Sequence, residues 1–581
     1  MKKLEWRKML QLAFAQQQQG KFAAAIADYQ EILTFRPEEA QVYYYLGSAL
    51  LQDEQLEEAI NTYEKALSLA PDSFPDIYYN LGLLYHKLGE IDRAIGAYEK
   101  FIAFKPNFAP AYSNFGKALQ EQGKIDEAIK AYQKAISLKP DYFAYHNLGD
   151  ALQEQDQIDE AIQAYQKALS LNPDCAATCT NLGNSLQKQG KIEEAIACHK
   201  KAISLAPNLA IAYNNLGNAL QELGNCEQAI VACKQAVTLD DNYEVAYNNM
   251  GNALQELGRV EEAISSYQKA IDINPNSDAH NGLGMSLLQK GGFTLGFQEY
   301  EWRFEHKEFP RNIGNLPIWD GKSSLKNKTI LIRSEQGFGD MLQFSRYVPL
   351  VAEKGAKVIL ESPSALVSLL ETVPEVEKVV VSGTVVTEAD CQVWLMSLPH
   401  LCGTTLDTIP ATIPYLFPPV TNLPELLENQ QLNVGLVWSS GLTNPTSKKR
   451  SCPLELFARI LKKEDINWYS LQKEPTAADL DLLETLPVVD LRENLVDFQA
   501  TAAIISQLDL VISVDTSVAH LVGAIGKPVW VLLPAVAEWR WLLEREDSPW
   551  YPTMRLFRQS QPGDWSMVLT RVNKELDNLL E

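Results

Sequence analysis

The sequence predicts an all-α superhelix of repeated helix pairs, followed by an α/β region of two parallel-sheet lobes. Three observations lead there. Glycines recur every 33–35 residues through the first half. Short apolar, β-branched runs alternating with helix-like stretches begin only after residue 325. The composition, 46% apolar and 22% charged over 581 residues, is that of a packed protein with room for three or four domains.

That composition also excludes several roles. A formal net charge of −23 repels a phosphate backbone, so nucleic acid is not expected as a partner, although a local basic pocket can still hold one small anion. No apolar run reaches the roughly 18 residues that cross a bilayer. Met1 to Gly20 is charged and then Gln-rich, without the apolar segment of a signal peptide. The eight cysteines form no C-x-x-C pair. Cys175 and Cys179, the closest, read as core-filling thiols, with metal binding as the alternative. The expected compartment is the cytoplasm.

The repeats come first. Ala212-Tyr-Asn-Asn-Leu-Gly-Asn-Ala-Leu-Gln-Glu-Leu-Gly224 returns almost unchanged from Ala246 to Gly258. One small-residue series is Gly47, Gly82, Gly116, Gly149, Gly183, Gly217, Gly251 and Gly284, and a second runs from Ala59 to Ala263. Small residues are expected where the two helices of a unit approach closely. Prolines from Pro37 to Pro275, with Asp241 standing in once, end each second helix. Each unit leaves an apolar face for the next to cover. This pattern resembles the tetratricopeptide repeat. It gives eight clear units and a divergent ninth from about residue 278, where Gly296 replaces the usual Ala and a cap or junction is expected.

Asn80, Asn114, Asn147, Asn181, Asn215 and Asn249 each precede the series glycine by two residues, so they recur at one place on six first helices. On a concave surface such amides can pair with an extended peptide without reading its sequence, which makes them candidate acceptor-binding residues. A comparable ladder is a feature of protein O-linked N-acetylglucosamine transferases. The alternative is that Asn is simply common at this position.

The repeat array is placed at 1–310 and a linker at 311–328. An acceptor-side lobe follows at 329–420 and a second lobe at 421–581. Strands are expected at 329–333, 357–361, 378–381, 392–396, 433–438, 468–471, 509–514, 528–533 and 554–557. Helices are expected at about 340–353, at 476–486 and at 565–580, and a Pro- and Thr-rich hinge at 405–425. Alternation of this kind implies parallel sheets covered on both faces, two Rossmann-like lobes with ligands at the strand C-termini.

Three segments could carry chemistry. Ser334-Glu-Gln-Gly-Phe-Gly-Asp340 joins the first strand to its helix, with Asp340 either an N-cap or a functional carboxylate. In Val514-Asp-Thr-Ser-Val-Ala-His520 a buried strand ends where a helix begins, so free N–H groups and the helix dipole can hold a diphosphate. Trp438-Ser-Ser-Gly441 with Lys448-Lys-Arg-Ser451 reads as a loop carrying a phosphate clamp or a solvated charge run. Asp479 and Asp481 lie on a helix and read as a solvated face.

Together these residues resemble glycosyltransferase family 9, the heptosyltransferases, over about 325–581. The match is strongest at Asp515-Thr-Ser-x-Ala-His520 with Gly523-Ala-x-Gly-Lys-Pro528, and continues at Gly337-x-Gly-Asp340. The resemblance implies a two-lobed GT-B fold and a nucleotide-sugar donor, used as substrate with no metal or other cofactor. It makes Asp340 the general base and gives Lys449 or Arg450 the diphosphate. Asp515, Thr516, Ser517 and His520 would line the donor site, His520 with a catalytic role, and Ser440, Gln472 and Lys473 would be further donor contacts. The long repeat array, and Ser517 where heptosyltransferases often have Gly, leave sugar and acceptor open. The expected function is transfer of a sugar to an acceptor hydroxyl, with the repeats recruiting a protein or peptide. A non-catalytic scaffold, or a glycan or lipid transferase that uses its repeats for assembly, are the alternatives.

Overall fold

The structure is a computed structural model that describes residues 5–305, 314–418, 426, 431–441 and 445–581. The chain forms two compact units, Met1–Asp240 and Asp241–Glu581. The division falls inside the repeat array, before the α/β region expected to begin near residue 329.

The first unit consists of seven helix pairs, from Glu5–Gln18 with Phe22–Phe35 to Ala210–Glu222 with Cys226–Leu239. Helices Phe22–Phe35, Leu56–Leu69 and Ile91–Phe104 each stop two residues before a series proline. The residue before a proline is pushed out of the α conformation, which ends the helix there. Cys226–Leu239 ends at the same place with Asp241 instead of Pro, so the proline reinforces a stop that packing already sets.

The series glycines lie against the second helix of their unit as expected: at Gly284 an added Cβ would meet backbone, Tyr300 N at 2.9 Å and Gly296 O at 3.0 Å, and at most others it would meet a ring. A Cβ on Gly47, Gly82, Gly116 or Gly149 would lie 2.5–2.8 Å from the ring of Tyr63, Tyr98, Tyr132 or Tyr165. The glycine is therefore a socket for an aromatic ring of the unit's second helix. His199 and Cys233 replace the tyrosine opposite Gly183 and Gly217. The alanine series, including Ala59, Ala94 and Ala128, is fully buried.

The second unit begins with two further pairs, Glu244–Glu256 with Val260–Ile273 and Ala279–Gln289 with Phe293–Tyr300. The divergent ninth pair is a junction. Phe293 and Phe297 stack edge-on against Trp539, and Gln289 Nε2 donates to Ala537 O at 2.9 Å. Arg303, in the following 3-10 turn, grips Glu335 with two hydrogen bonds of 3.0 Å.

Two parallel sheets follow. The first contains β1 (Thr329–Arg333), β2 (Lys357–Ser362), β3 (Val376–Val381) and β4 (Cys391–Trp394) in the order β3-β2-β1-β4. The second contains β5 (Leu432–Val437), β6 (Ile466–Ser470), β7 (Val488–Asp490), β8 (Leu510–Val514), β9 (Val529–Leu533) and β10 (Met554–Arg558), in the order β10-β9-β8-β5-β6-β7. Every strand pairing is parallel. In each sheet the chain reverses direction beside its first strand, and such switch points are where α/β sheets bind ligands.

Several details depart from the sequence reading. The helix expected at 340–353 is three pieces, Phe338–Phe344, a 3-10 turn Ser345–Tyr347, and Val348–Ala352, with Pro349 at the break. The strand expected to reach 396 stops at Trp394, because Glu335 accepts a hydrogen bond from Met396 N at 2.8 Å and bends the chain away. Strand β7 and the helix Phe498–Ser506 were not anticipated. The expected linker lies partly outside the described residues, at 311–313. Its remainder is packed: Trp319 is buried and Ile318 bridges β4 at Gln392. The hinge expected at 405–425 is described only to residue 418, where Tyr415 N donates to Ala524 O at 3.0 Å. Among the described residues no helix is long and apolar enough to cross a membrane.

Candidate functional site

A cavity of about 820 Å³ lies between the two sheets, open to solvent on one side. Its wall is built mainly from the segments that follow β1, β5, β6, β7, β8 and β9, on the C-terminal side of those strands.

From the first lobe come residues 336–340. At Gly339 the backbone comes close to the second lobe: an added Cβ would lie 3.0 Å from His520 Cδ2 and 3.8 Å from Ser517 Cα. The helix Phe338–Phe344 that carries Asp340 packs on the helix Ser517–Ala524. Asp340 Oδ2 accepts from Gly337 N at 2.9 Å, closing a capping interaction, and Oδ1 accepts from Arg540.

The second lobe supplies the other wall. Thr516 is the N-cap of Ser517–Ala524 and makes no side-chain cap bond to that helix; its hydroxyl lies 3.0 Å from Ser513 Oγ. Ala519 N donates to Thr516 O at 3.1 Å, while Ser517 and Val518, the first two residues of the helix, line the cavity; a helix start of this kind favours an anion. Asp515 is buried with Arg450 Nη1 at 3.5 Å. His520 is buried, stacks on Trp541 at 5.2 Å and has Nδ1 3.0 Å from Tyr551 Oη. Burial holds its pKa well below the usual imidazole range, and Arg540, Arg346 and Arg450 add to the effect. His520 is thus neutral at physiological pH, a hydrogen-bonding group rather than a cation.

Gln472 is a staple. Its Oε1 accepts from Trp438 N (3.2 Å) and Ser439 N (3.0 Å), and its Nε2 donates to Ser439 O at 3.2 Å. It shapes the 438–441 turn, where Ser440 N donates to Ser451 Oγ and Ser440 Oγ to Ser447 O, both at 3.2 Å. Lys473 lines the cavity with Nζ donating to Arg492 O at 3.2 Å.

Two expectations for the basic segment are corrected. Residues 448–450 belong to a helix, Pro445–Arg450, rather than to a loop. The helix turns its cations different ways, so only Arg450 lines the cavity. Lys449 is exposed and donates to Glu256 of the eighth helix pair at 2.9 Å. Asp479 caps its own helix through Thr476 N and Oγ1, at 3.0 and 2.8 Å.

Sequence reasoning missed Glu538 and Arg540, both in the cavity wall. Arg540 donates to Asp340, to Glu538 and, at 2.7 Å, to Gln343 Oε1. Burial, opposed by Arg540 and reinforced by Asp515 and Asp340, pushes the Glu538 carboxyl up to about 7. The available signal was position: the segment Glu538-Trp-Arg-Trp541 follows a buried strand, where sites in this fold class sit. Phe338, Val496 and Phe498 add an apolar rim.

The asparagine ladder is half-buried and tied down. Asn80 Nδ2 donates to Tyr63 Oη and Asn114 Nδ2 to Tyr79 Oη, both at 3.0 Å. Asn181 reaches Asp150 at 2.9 Å and Asn215 reaches Asn184 at 2.8 Å. These bonds stitch each repeat to the one before. Asn147 and Asn249 occupy the equivalent half-buried positions.

Family models match the first half of the chain. Tetratricopeptide repeat models match residues 9–38, 75–108, 107–174, 210–243 and 245–277, and a TPR repeat model matches 47–89 and 183–224. Protein FlbA of Caulobacter vibrioides is 27% identical over 320 residues, 49% of this chain and 52% of FlbA. The chain thus spans about half the length of this curated relative. Among solved structures, MamA is 30% identical over 29% of this chain and 92% of its own, with a TM-score of 0.28. YrrB, described as a TPR protein with an unusual peptide-binding site, is 25% identical over 32% of this chain and 95% of its own, with a TM-score of 0.29. The N-terminal half of the chain, through residue 277, carries tetratricopeptide repeats.

Proposed function

We propose that residues 329–581 form a GT-B-type sugar transferase, similar to glycosyltransferase family 9, and that the repeats recruit its protein or peptide acceptor. One observation carries the reading: a single cavity receives Asp340 from one lobe and the Thr516–Ser517 helix start, Arg450 and His520 from the other. A nucleotide diphosphate fits that helix start, with Arg450 and Lys473 as nearby cations. Neutral His520 and the Ser440 turn would contact the donor. The acceptor hydroxyl oxygen would attack the anomeric carbon while Asp340 takes its proton. The bond from that carbon to the diphosphate oxygen breaks, and the nucleoside diphosphate leaves with the electron pair, stabilised by the helix dipole and Arg450.

Thermal shift with UDP, GDP and ADP sugars tests the donor half, because bound ligand must raise the melting temperature. The expected result is a rise with at least one donor in both wild type and Asp340→Asn, with transfer lost in the variant. Full transfer by Asp340→Asn would place the base elsewhere. No shift with any donor would leave a second reading, a repeat scaffold for protein–protein interaction, which the repeats themselves favour.

A further inference from the structure

Arg540 occupies the cavity wall in an arrangement the transfer step does not use. It is buried, with a side chain 8% exposed, and one guanidinium serves two carboxylates, Asp340 from the first lobe and Glu538 from its own. Each oxygen of Asp340 already accepts a hydrogen bond, one from Gly337 N and one from Arg540. As built, the carboxylate that should receive a proton is latched. The latch also shares a cavity with the anion site, since Asp340, Arg540, Thr516 and Ser517 all line it. A guanidinium fork matches a phosphate as well as a carboxylate, and an incoming diphosphate carries more charge than either partner.

We infer that Arg540 is a positioning residue that exchanges partners. Without donor it holds Asp340. With a diphosphate in the cavity it turns to the phosphate oxygens and releases Asp340 Oδ1 to the acceptor hydroxyl. The base is thereby freed only when a donor is present. Glu538 keeps Arg540 in the wall in both arrangements. This inference rests on the donor reading above.

Isothermal titration of the full chain with inorganic pyrophosphate, UDP, GDP and ADP tests it. The proteins are wild type, Asp340→Asn, Arg540→Gln and the double variant. Asp340→Asn should bind roughly fivefold tighter than wild type, a gain that mere structural damage does not produce. Arg540→Gln should bind roughly fivefold more weakly, and in that background Asp340→Asn should add less than about twofold. If the gain survives in the Arg540→Gln background, simple removal of negative charge explains it and the exchange is overturned. Binding by wild type that Asp340→Asn leaves unchanged overturns the exchange while the donor reading stands. No binding by any of the proteins overturns both. Should Arg540→Gln fail to fold, Arg540→Lys, which keeps the charge without the fork, takes its place and must likewise shrink the gain.

Discussion

His199 offers a quantitative test of how the repeats are built. Five other units place a tyrosine ring against the series glycine, at Tyr63, Tyr98, Tyr132, Tyr165 and Tyr267. In the sixth unit the ring is His199, fully buried, with neither ring nitrogen bonded among the described residues. Burial lowers its pKa to about 4, against an ordinary value of 6.5. The folded protein therefore holds this imidazole neutral while the unfolded chain protonates it. Stability is complete above pH 6.5 and falls as pH drops toward 4. Between pH 7 and pH 5 the loss is about 2 kcal/mol. His199→Tyr removes the ionisable group and supplies the ring that the other units use. Its hydroxyl should reach Asn184 or Gln187, as Tyr267 reaches Asn252 and Gln255 at 2.8 and 2.9 Å. The assay is hydrogen exchange of the Ile192–Leu205 amides at both pH values, corrected for intrinsic rates, which reports local opening. Wild type should lose roughly 20-fold more protection than the variant on moving to pH 5. Protection that falls in parallel in the two proteins would refute the argument.

Other perturbations follow from the same contacts. Arg303→Ala leaves Glu335 buried without its partner and should cost about 3–5 kcal/mol by calorimetry, with Arg303→Ala/Glu335→Gln recovering part of it. Gly149→Ala drives a methyl to within 2.5 Å of the Tyr165 ring and should cost about 1–3 kcal/mol in urea denaturation. Replacing Asn114, Asn181 and Asn215 together by Ala removes three ties between repeats, each worth about 1 kcal/mol. A lower melting temperature is the expected result, and an unchanged one would return these residues to a purely ligand-facing role.

Much of the candidate site was legible because its signals are local. Asp515, Thr516, Ser517 and His520 sit within six residues at one strand-to-helix turn, and Asp340 ends a Gly-x-Gly turn of the same kind. Those turns recur wherever a parallel strand feeds a helix, so the chain announces them. Lys449 and Arg450 show the limit. Adjacent residues on a short helix point in different directions, and Lys449 is claimed by a glutamate 193 positions earlier. The asparagine ladder shows another. Its period was visible, but not that Tyr79, Asp150 and Asn184 would take up its amides.

Sequence alone determined the helix pairs, their count and the alternation of strands and helices. The helix pairs follow from a repeat of about thirty-four residues and the alternation from short apolar, β-branched runs, both of which are properties of neighbouring positions. Tertiary structure alone decided that Arg540, 200 residues along the chain from Asp340, would bind it, and that Glu538 would share the same guanidinium. Strand order brings those residues together, and burial then raises the worth of each charge contact. Neither strand order nor burial is written in the spacing of residues along the chain.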